Sequence, residues 1–116
     1  MIGLDRLMEK DGVVAAGQFA EDGSVVRAVG QLNPEEMKRV AKICAEHSRG
    51  AQAMTDELDK ETPLEWKGLN GWVLWGGKYA LCVSGDTGVF VESTRADFNQ
   101  LLVDLFGPPA AGMRMD

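Results

Sequence analysis

The stretch GWVLWGGKYALCV at residues 71–83 restricts the possible folds of this chain more than any other feature. Its aromatic and β-branched residues favour strands, and the glycine pair in its middle favours a tight hairpin turn. A strand with one wet face alternates apolar and polar side chains, but here Val73 and Trp75 share one face while Trp72 and Leu74 share the other. Both faces of this predicted strand therefore need a covering element.

The first part of the chain divides at clear turn signals. Apolar residues at helical spacing predict a short amphipathic helix over residues 2–10. Two valine-rich runs predict strands at about 13–19 and 25–30. Asp22-Gly23 between them is typical of a hairpin turn, because glycine adopts a positive φ without strain.

A long helix is predicted next, from residue 34 to about residue 58. Asn33 supplies a side-chain cap, Pro34 fits the first turn because it has no N–H, and two glutamates complement the helix dipole. A stripe of mostly small or flexible apolar residues follows along one face. Gly50 could kink or interrupt this helix.

The remaining chain predicts a three-stranded meander and a last helix. The strands are expected at 69–75, 78–83 and 88–92. Thr94 with Asp97 resembles a capping box, and leucines at helical spacing follow. The order is helix, two strands, helix, three strands, helix, with hairpin connections. It predicts an α+β fold in which helices pack on a largely antiparallel sheet.

Length and composition fit one domain outside the membrane. A chain of 116 residues has the size of a single domain, which we expect over residues 1–107, followed by a flexible tail at 108–116. No apolar run reaches the length of a membrane span, and the N-terminus lacks the pattern of a targeting peptide. The net charge of -6 argues against nucleic acid as a partner. We therefore expect a cytoplasmic protein.

The residues that usually carry catalysis or metal binding are few and scattered. His47 is the single histidine and has no second ligand at a metal-site spacing. The glycine-rich segments match neither nucleotide-binding pattern, so no catalytic residue, cofactor or metal is predicted. Cys44 and Cys82 are interpreted as small buried apolar side chains, with a disulfide or a redox role as the alternative.

A small-molecule pocket is a second hypothesis for this chain. Trp66, Phe19 and Phe90 could line it together with the tryptophans of the central stretch, because aromatic surfaces with a few polar groups are typical of ligand sites. The simpler interpretation makes all of these residues part of a core or an interface. The function would then be that of a ligand-binding sensory module or of an interaction protein, respectively.

Two arrangements could cover the doubly apolar strand. A terminal helix could pack on its second face. Alternatively, the strand is an edge that pairs with a second copy, because bare edge strands associate and symmetric dimers are the commonest soluble oligomers. Small residues on the long helix would allow a twin helix to approach. The residues predicted for this dimer interface are Ala41, Cys44, Ala45, Ser48, Ala51, Trp72, Leu74 and Trp75.

The chain resembles the roadblock/dynein light chain superfamily, and within it a branch of small uncharacterised bacterial roadblock-like proteins. The hairpin VVAAGQFAEDGSVV, the long helix from Pro34 and the meander GWVLWGGKYALCVSGDTGVFVE carry the resemblance. It covers nearly the whole chain, residues 2–107. Element order and lengths are its main features, and the Asp22-Gly23 turn is the most family-like local element.

The resemblance implies a profilin-like, five-stranded antiparallel sheet with the long helix on one face and the terminal helices on the other. It also implies a homodimer in which the long helices pair and the third strands meet. Roadblock-like proteins are non-enzymatic platforms that often bind small GTPases or act as scaffolds in larger assemblies. We therefore expect a non-enzymatic regulatory scaffold whose partners are a second copy and another protein, a small GTPase being one class. Three tryptophans near the third strand depart from the family pattern, and no GTPase-contact motif is readable, so the partner itself does not transfer.

Overall fold

A computed structural model of the protein describes residues 3–66 and 69–106. The elements, in chain order, are α1 Leu4–Met8, β1 Val13–Phe19, β2 Val25–Gly30, α2 Pro34–Glu61, β3 Gly71–Trp75, β4 Tyr79–Ser84, β5 Thr87–Glu92 and α3 Phe98–Phe106. This order confirms the predicted α+β fold. The expected end of the domain at Gly107 and the expected tail at 108–116 lie outside the described residues.

The five strands form one antiparallel sheet in the order β2-β1-β5-β4-β3. Strand β5 is central, while β2 and β3 are the two edges. Helix α2 covers one face of the sheet, and α1 and α3 cover the other. The arrangement that the resemblance implied, with the long helix and the terminal helices on opposite faces, is therefore confirmed.

Each face of the sheet has its own apolar core. Alternation along β4 sends Cys82 toward α1 and α3 and sends Leu81 and Val83 toward α2. This strand is buried on both faces, which explains its almost continuous apolar run. The core under α2 is formed by Phe19, Ala41, Cys44, Ala45, Leu81 and Val83.

Helix α2 begins at the predicted capping signal. The Asn33 side chain accepts a hydrogen bond from the Glu36 N–H at 2.8 Å, and the Asn33 N–H donates to Glu36 Oε1 at 2.9 Å. These two bonds form a complete capping box, with Pro34 in the first turn. The helix runs without interruption through Gly50 and ends three residues beyond the predicted end, at Glu61.

The first hairpin turn follows the predicted Asp22-Gly23 pattern. Gly23 has a φ of 87°, and Asp22 Oδ1 accepts hydrogen bonds from the Ser24 N–H at 2.9 Å and from Ser24 Oγ at 2.7 Å. The Ser24 side chain, and then its backbone N–H, hold the pKa of the Asp22 carboxyl below its usual range.

Three local predictions need correction. Strand β3 begins at Gly71 instead of residue 69. The turn after it falls one residue later than the predicted glycine pair, because the Gly76 N–H still donates to the Tyr79 carbonyl at 2.9 Å. Asp97 takes the role predicted for Thr94 at the start of α3, since its Oδ1 accepts from the Gln100 N–H at 3.1 Å.

Candidate interaction surface

Strand β3 leaves one side of its backbone open. It pairs with β4 on one side, and within the described ranges no strand lies on its other side. Its side chains are also uncovered, because Val73, Leu74 and Trp75 are 46%, 57% and 70% exposed. A flat edge strand with exposed apolar side chains is a typical site for pairing with another chain.

The two tryptophans of β3 lie on opposite faces of the sheet. Trp72 faces α2, where its Nε1 donates to Ser48 Oγ at 2.9 Å and its ring lies 5.9 Å from the His47 ring. Trp75 lies on the α3 face, 6.3 Å from the Phe98 ring. Its Nε1 donates to the Gly77 carbonyl at 2.9 Å, so that the indole lies along the hairpin and leaves most of its surface to solvent.

Helix α3 covers β3 only at its two ends. Phe106 lies directly over Gly71, and Phe98 contacts Trp75 at the far end. Between them Val73 remains exposed. Helix α3 therefore covers part of the second face of β3, which is one of the two arrangements that the sequence predicted. The outer edge of the strand stays open.

The small residues of α2 face the sheet of their own chain. Ala41, Cys44 and Ala45 are buried there, although the sequence analysis placed them against a twin helix. The reason is close packing: a Cβ on Gly88 of β5 would come within 3.4 Å of Cys44 Sγ, so only small groups fit between helix and sheet. Within this chain these three side chains pack on the sheet, and their place in a dimer interface stays a prediction.

A different stripe of α2 faces outward beside β3. We call Ile43, His47, Gly50 and Met54 the outer stripe, because steps of four, three and four place them on one helix face. All four are exposed. The contact between His47 and Trp72 shows that this face borders β3. Ser48 and Ala51, which were also predicted for the interface, are half-buried between the outer stripe and the sheet.

The charges of α2 are unevenly distributed along its length. The first half carries both signs, with three exposed cations and two exposed carboxylates: Lys38, Arg39, Lys42, Glu35 and Glu46. The last turns carry four exposed carboxylates and one exposed cation: Asp56, Glu57, Asp59, Glu61 and Lys60. The last turns are therefore net acidic, whereas the first half is mixed.

The opposite edge of the sheet is protected. The register of β1 with β2 passes from Gln18–Arg27 to Phe19–Val25, so Val26 is the extra residue of a β-bulge. Arg27, the next residue along this edge, forms an ion pair with Asp5 of α1 at 3.1 Å. Bulges and charges are common ways to prevent pairing at an edge strand.

Two of the three residues predicted for a ligand pocket lie together, and the third lies elsewhere. Phe19 and Phe90 line a cavity of about 30 Å³ beneath α2, which is the volume that one water molecule occupies in the liquid. Trp66 does not line this cavity. Its N–H donates to Asp59 Oδ1 at 3.0 Å near the end of α2.

The thiols and the possible metal ligands show little reactive chemistry. Cys44 and Cys82 are free and lie on opposite faces of the sheet. Burial raises the pKa of each thiol to about 11, so both are protonated at neutral pH. Within residues 3–66 and 69–106 no three His, Cys, Asp or Glu side chains are grouped to hold a metal ion. None of the helices described here is long and apolar enough to span a bilayer.

Three residues of this surface were missed in the sequence analysis. Val73 was noted only for its parity, and Ile43 and Met54 were not separated from the rest of the apolar helix positions. Gly50 was among the small residues predicted to let a twin helix approach. The signal for the α2 residues is their spacing of four, three and four positions. This spacing places them on a different helix face from the small residues that pack on the sheet. Sorting the apolar positions by side-chain size would have indicated two faces.

The fold is similar to that of several solved structures. One is a roadblock/LC7 domain from Streptomyces avermitilis, with 16% identity, a TM-score of 0.75, and coverage of 88% of this chain and 84% of that one. Another is the gliding protein MglB from Thermus thermophilus, with 18% identity, a TM-score of 0.70, and coverage of 86% and 75%. A third, described as MglB with tetrameric arrangement, has 18% identity, a TM-score of 0.70, and coverage of 86% and 74%.

These likenesses, together with the element order and the sheet topology, establish a roadblock-like fold. A search of curated proteins found no match. A family model described as an uncharacterized conserved protein, DUF2173, matches residues 3–106. Since this match spans most of the sequence, the chain belongs to the DUF2173 family of uncharacterized conserved proteins.

Proposed function

We propose that the protein is a non-enzymatic homodimeric scaffold of the roadblock type, which acts in the cytoplasm by binding other proteins. One observation carries the proposal: the open edge of β3, with Val73, Leu74 and Trp75 exposed, lies beside the exposed outer stripe of α2. A second copy that pairs with this edge continues the sheet and covers both features at once.

The difference between the two sheet edges supports a closed dimer. Pairing of β3 with its twin uses the only edge that lacks protection among the described strands, and the bulged edge at β2 then terminates the joined sheet. An isologous contact of this kind closes with two chains and does not grow into a fibre.

The exposed charges of α2 support an antiparallel helix pair. In that orientation the three exposed cations in the first half of each helix approach the net acidic last turns of the other. Arg39 and Glu57 are both exposed, and both lie on the solvent side of the outer stripe at its two ends. If Arg39 contacts Glu57 of the second copy, the helices cross at residue 48, halfway between them. Gly50 lies close to this crossing and presents no side chain to the second helix.

A further protein partner is part of the proposal. A small GTPase is the class that the roadblock resemblance implies. For the second copy as a partner, the name of one structural neighbour, MglB with tetrameric arrangement, describes self-association of that protein. Pull-down from a native lysate with the purified dimer, read by mass spectrometry in the presence of GTP or GDP, tests this class. Nucleotide-dependent capture of a GTPase is the expected result, and its absence under both conditions would contradict the GTPase assignment.

A matched pair of substitutions tests the dimer surface. Leu74→Asp places a charge on the open edge, while Val26→Asp places one on the protected edge, and the two side chains are 57% and 66% exposed. Because neither residue belongs to the core, both variants are expected to fold. Analytical ultracentrifugation should show a monomer for Leu74→Asp and a dimer for Val26→Asp, since a charge buried at the seam is strongly unfavourable. Equal masses for the two variants would remove β3 from the interface.

A further inference from the structure

A second concave feature lies under the C-terminal half of α2. This groove has a volume of about 800 Å³ and opens to solvent where the helix extends past the ends of the strands. Its walls are the β1–β2 turn, the β4–β5 turn and the segment that enters β3 at Asn70. Arg49 connects the helix to the first of these turns, because its Nη1 donates to the Glu21 carbonyl at 2.9 Å. The volume is in the range of typical ligand sites, and the open shape suits an extended chain.

The floor of the groove is apolar and aromatic. Phe19 and Val83 are buried at its base, and Trp72 forms one side. The bond from Trp72 Nε1 to Ser48 Oγ fixes the indole plane and occupies its only donor. A bound molecule can therefore contact only the ring surface of the indole, which attracts both apolar groups and cations.

The rim of the groove is negatively charged. Glu21, Asp22 and Asp86 are exposed there, and Arg49 is the one cation among the described residues that line the groove. The hydrogen bonds from Ser24 hold the pKa of the Asp22 carboxyl low, so that it stays ionised across the physiological range. An occupant that places a cation at the rim and an apolar group on the floor would match both parts of the groove.

We propose that this groove binds an extended segment of a partner protein that carries an arginine or lysine next to an apolar residue. The basic side chain lies against the rim carboxylates and the Trp72 ring, and the apolar side chain lies over Phe19. Phosphate groups and nucleic acid are disfavoured because the rim would repel them. The inference deepens the proposed scaffold function by naming the chemistry of a partner, but it does not require the dimer, since most of the groove residues lie outside the outer stripe and the β3 edge.

The test uses the full chain labelled with 15N and two probe peptides. Acetyl-Leu-Arg-Leu-amide is compared with acetyl-Leu-Gln-Leu-amide, and the Trp72 indole N–H is followed by NMR at low salt. We expect a saturable shift of this signal with the arginine peptide and binding about tenfold weaker with the glutamine peptide, since exposed charge pairs contribute modestly and are screened by salt.

Matched variants assign the binding to the rim. The double variant Asp22→Asn with Asp86→Asn removes two carboxylates and keeps side chains that both turns accept, because asparagine still accepts the Ser24 hydrogen bonds. The control, Glu35→Gln with Glu46→Gln, removes two exposed carboxylates of α2 outside the groove. We expect binding of the arginine peptide to fall about tenfold in the rim variant, to the level of the glutamine peptide, and to change less than about twofold in the control.

Three outcomes would overturn the inference. One is the absence of a saturable Trp72 shift, and another is equal weakening by the rim and control variants. The third is binding of arginine amide as tight as that of the peptide, which would indicate a small-molecule site. Light scattering on the same samples reports the dimer separately, so the failure of one proposal can be distinguished from failure of the other.

Discussion

At the scale of single residues, Gly71 shows how closely α3 approaches β3. A Cβ at this position would overlap the Phe106 ring and the Val83 carbonyl. The sequence pattern predicts Gly71 within a strand, where glycine is normally unfavourable. The reason is the long-range contact with Phe106, which no local pattern reveals.

The substitution Gly71→Ala is expected to destabilise the fold. The added methyl group must displace Phe106 or shift the strand, which costs about 1–3 kcal/mol in the free energy of unfolding. Urea denaturation followed by tryptophan fluorescence measures this. Gly76→Ala is the control, because its Cβ would meet only the Tyr79 carbonyl at 3.6 Å. A loss at Gly71 no larger than the loss at Gly76 would contradict the steric role of the Phe106 contact.

A second residue-scale feature links the turn after α1 to α3. Lys10 forms an ion pair with Asp104, with side chains 28% and 18% exposed, and the Gln100 Nε2 donates to Asp104 Oδ1 at 3.1 Å. The hydrogen bond from Lys10 is the main cause that holds the pKa of the Asp104 carboxyl below its usual range. The ionised carboxylate therefore stabilises the fold.

This linkage predicts a pH dependence. A carboxyl whose pKa is lowered by folding stabilises the protein above its unfolded pKa of about 4 and loses that contribution as the pH falls through the folded value. The difference in unfolding free energy between wild type and Asp104→Asn should be largest near neutral pH and shrink below about pH 4. Asp5→Asn, in the exposed pair with Arg27, is the control. A difference that stays constant down to the acid transition would contradict the role of Asp104.

At the scale of elements, local signals predicted where most helices and strands lie. The capping box at Asn33 and the turn at Asp22-Gly23 are formed by neighbours in sequence, so their residues specify them directly. The two-sided apolar pattern of β3 likewise indicated a strand that needs cover on both faces. Its parity could not decide the direction of Trp72, because that depends on the bond to Ser48, 24 residues earlier in the chain.

The orientation of α2 could not be predicted for a related reason. Small side chains allow close approach to a sheet as well as to a helix. The sequence of Ala41, Cys44 and Ala45 was therefore compatible with packing on the sheet and with packing against a twin helix. The absence of a side chain at Gly88, which comes 44 residues after Cys44, places these small residues on the sheet. The candidate surface then shifts to the larger residues of the outer stripe.

The start of α2 offers an element-scale prediction. Asn33→Ala removes the side chain that accepts from the Glu36 N–H and opens the capping box. The loss should be about 1 kcal/mol in the free energy of unfolding, measured by urea denaturation. Glu35→Gln, which changes a neighbouring exposed carboxylate outside the capping box, should change stability less. A larger effect of Glu35→Gln would assign the stabilisation to helix-dipole charge and not to the cap.

At the scale of the whole molecule, a chain of 116 residues keeps an exposed apolar edge on its sheet. The core under α2 and the core under α1 and α3 are complete within one chain. The exposed residues of the β3 edge and of the outer stripe belong to neither core. The proposed dimer accounts for this exposed apolar surface, because contiguous apolar patches are typical of interaction sites.

Charge reversal on α2 tests the central claim most directly. Arg39→Glu, Glu57→Arg and the double variant are compared with wild type by light scattering at about 100 μM, where a dimer with a micromolar dissociation constant is nearly complete. The wild type should have twice the chain mass of 12.6 kDa. Each single reversal should shift the mass toward monomer, and the double variant should restore the dimer because the attraction is rebuilt with opposite sign. A monomeric wild type, or a double variant no more dimeric than the single ones, would contradict the antiparallel α2 dimer.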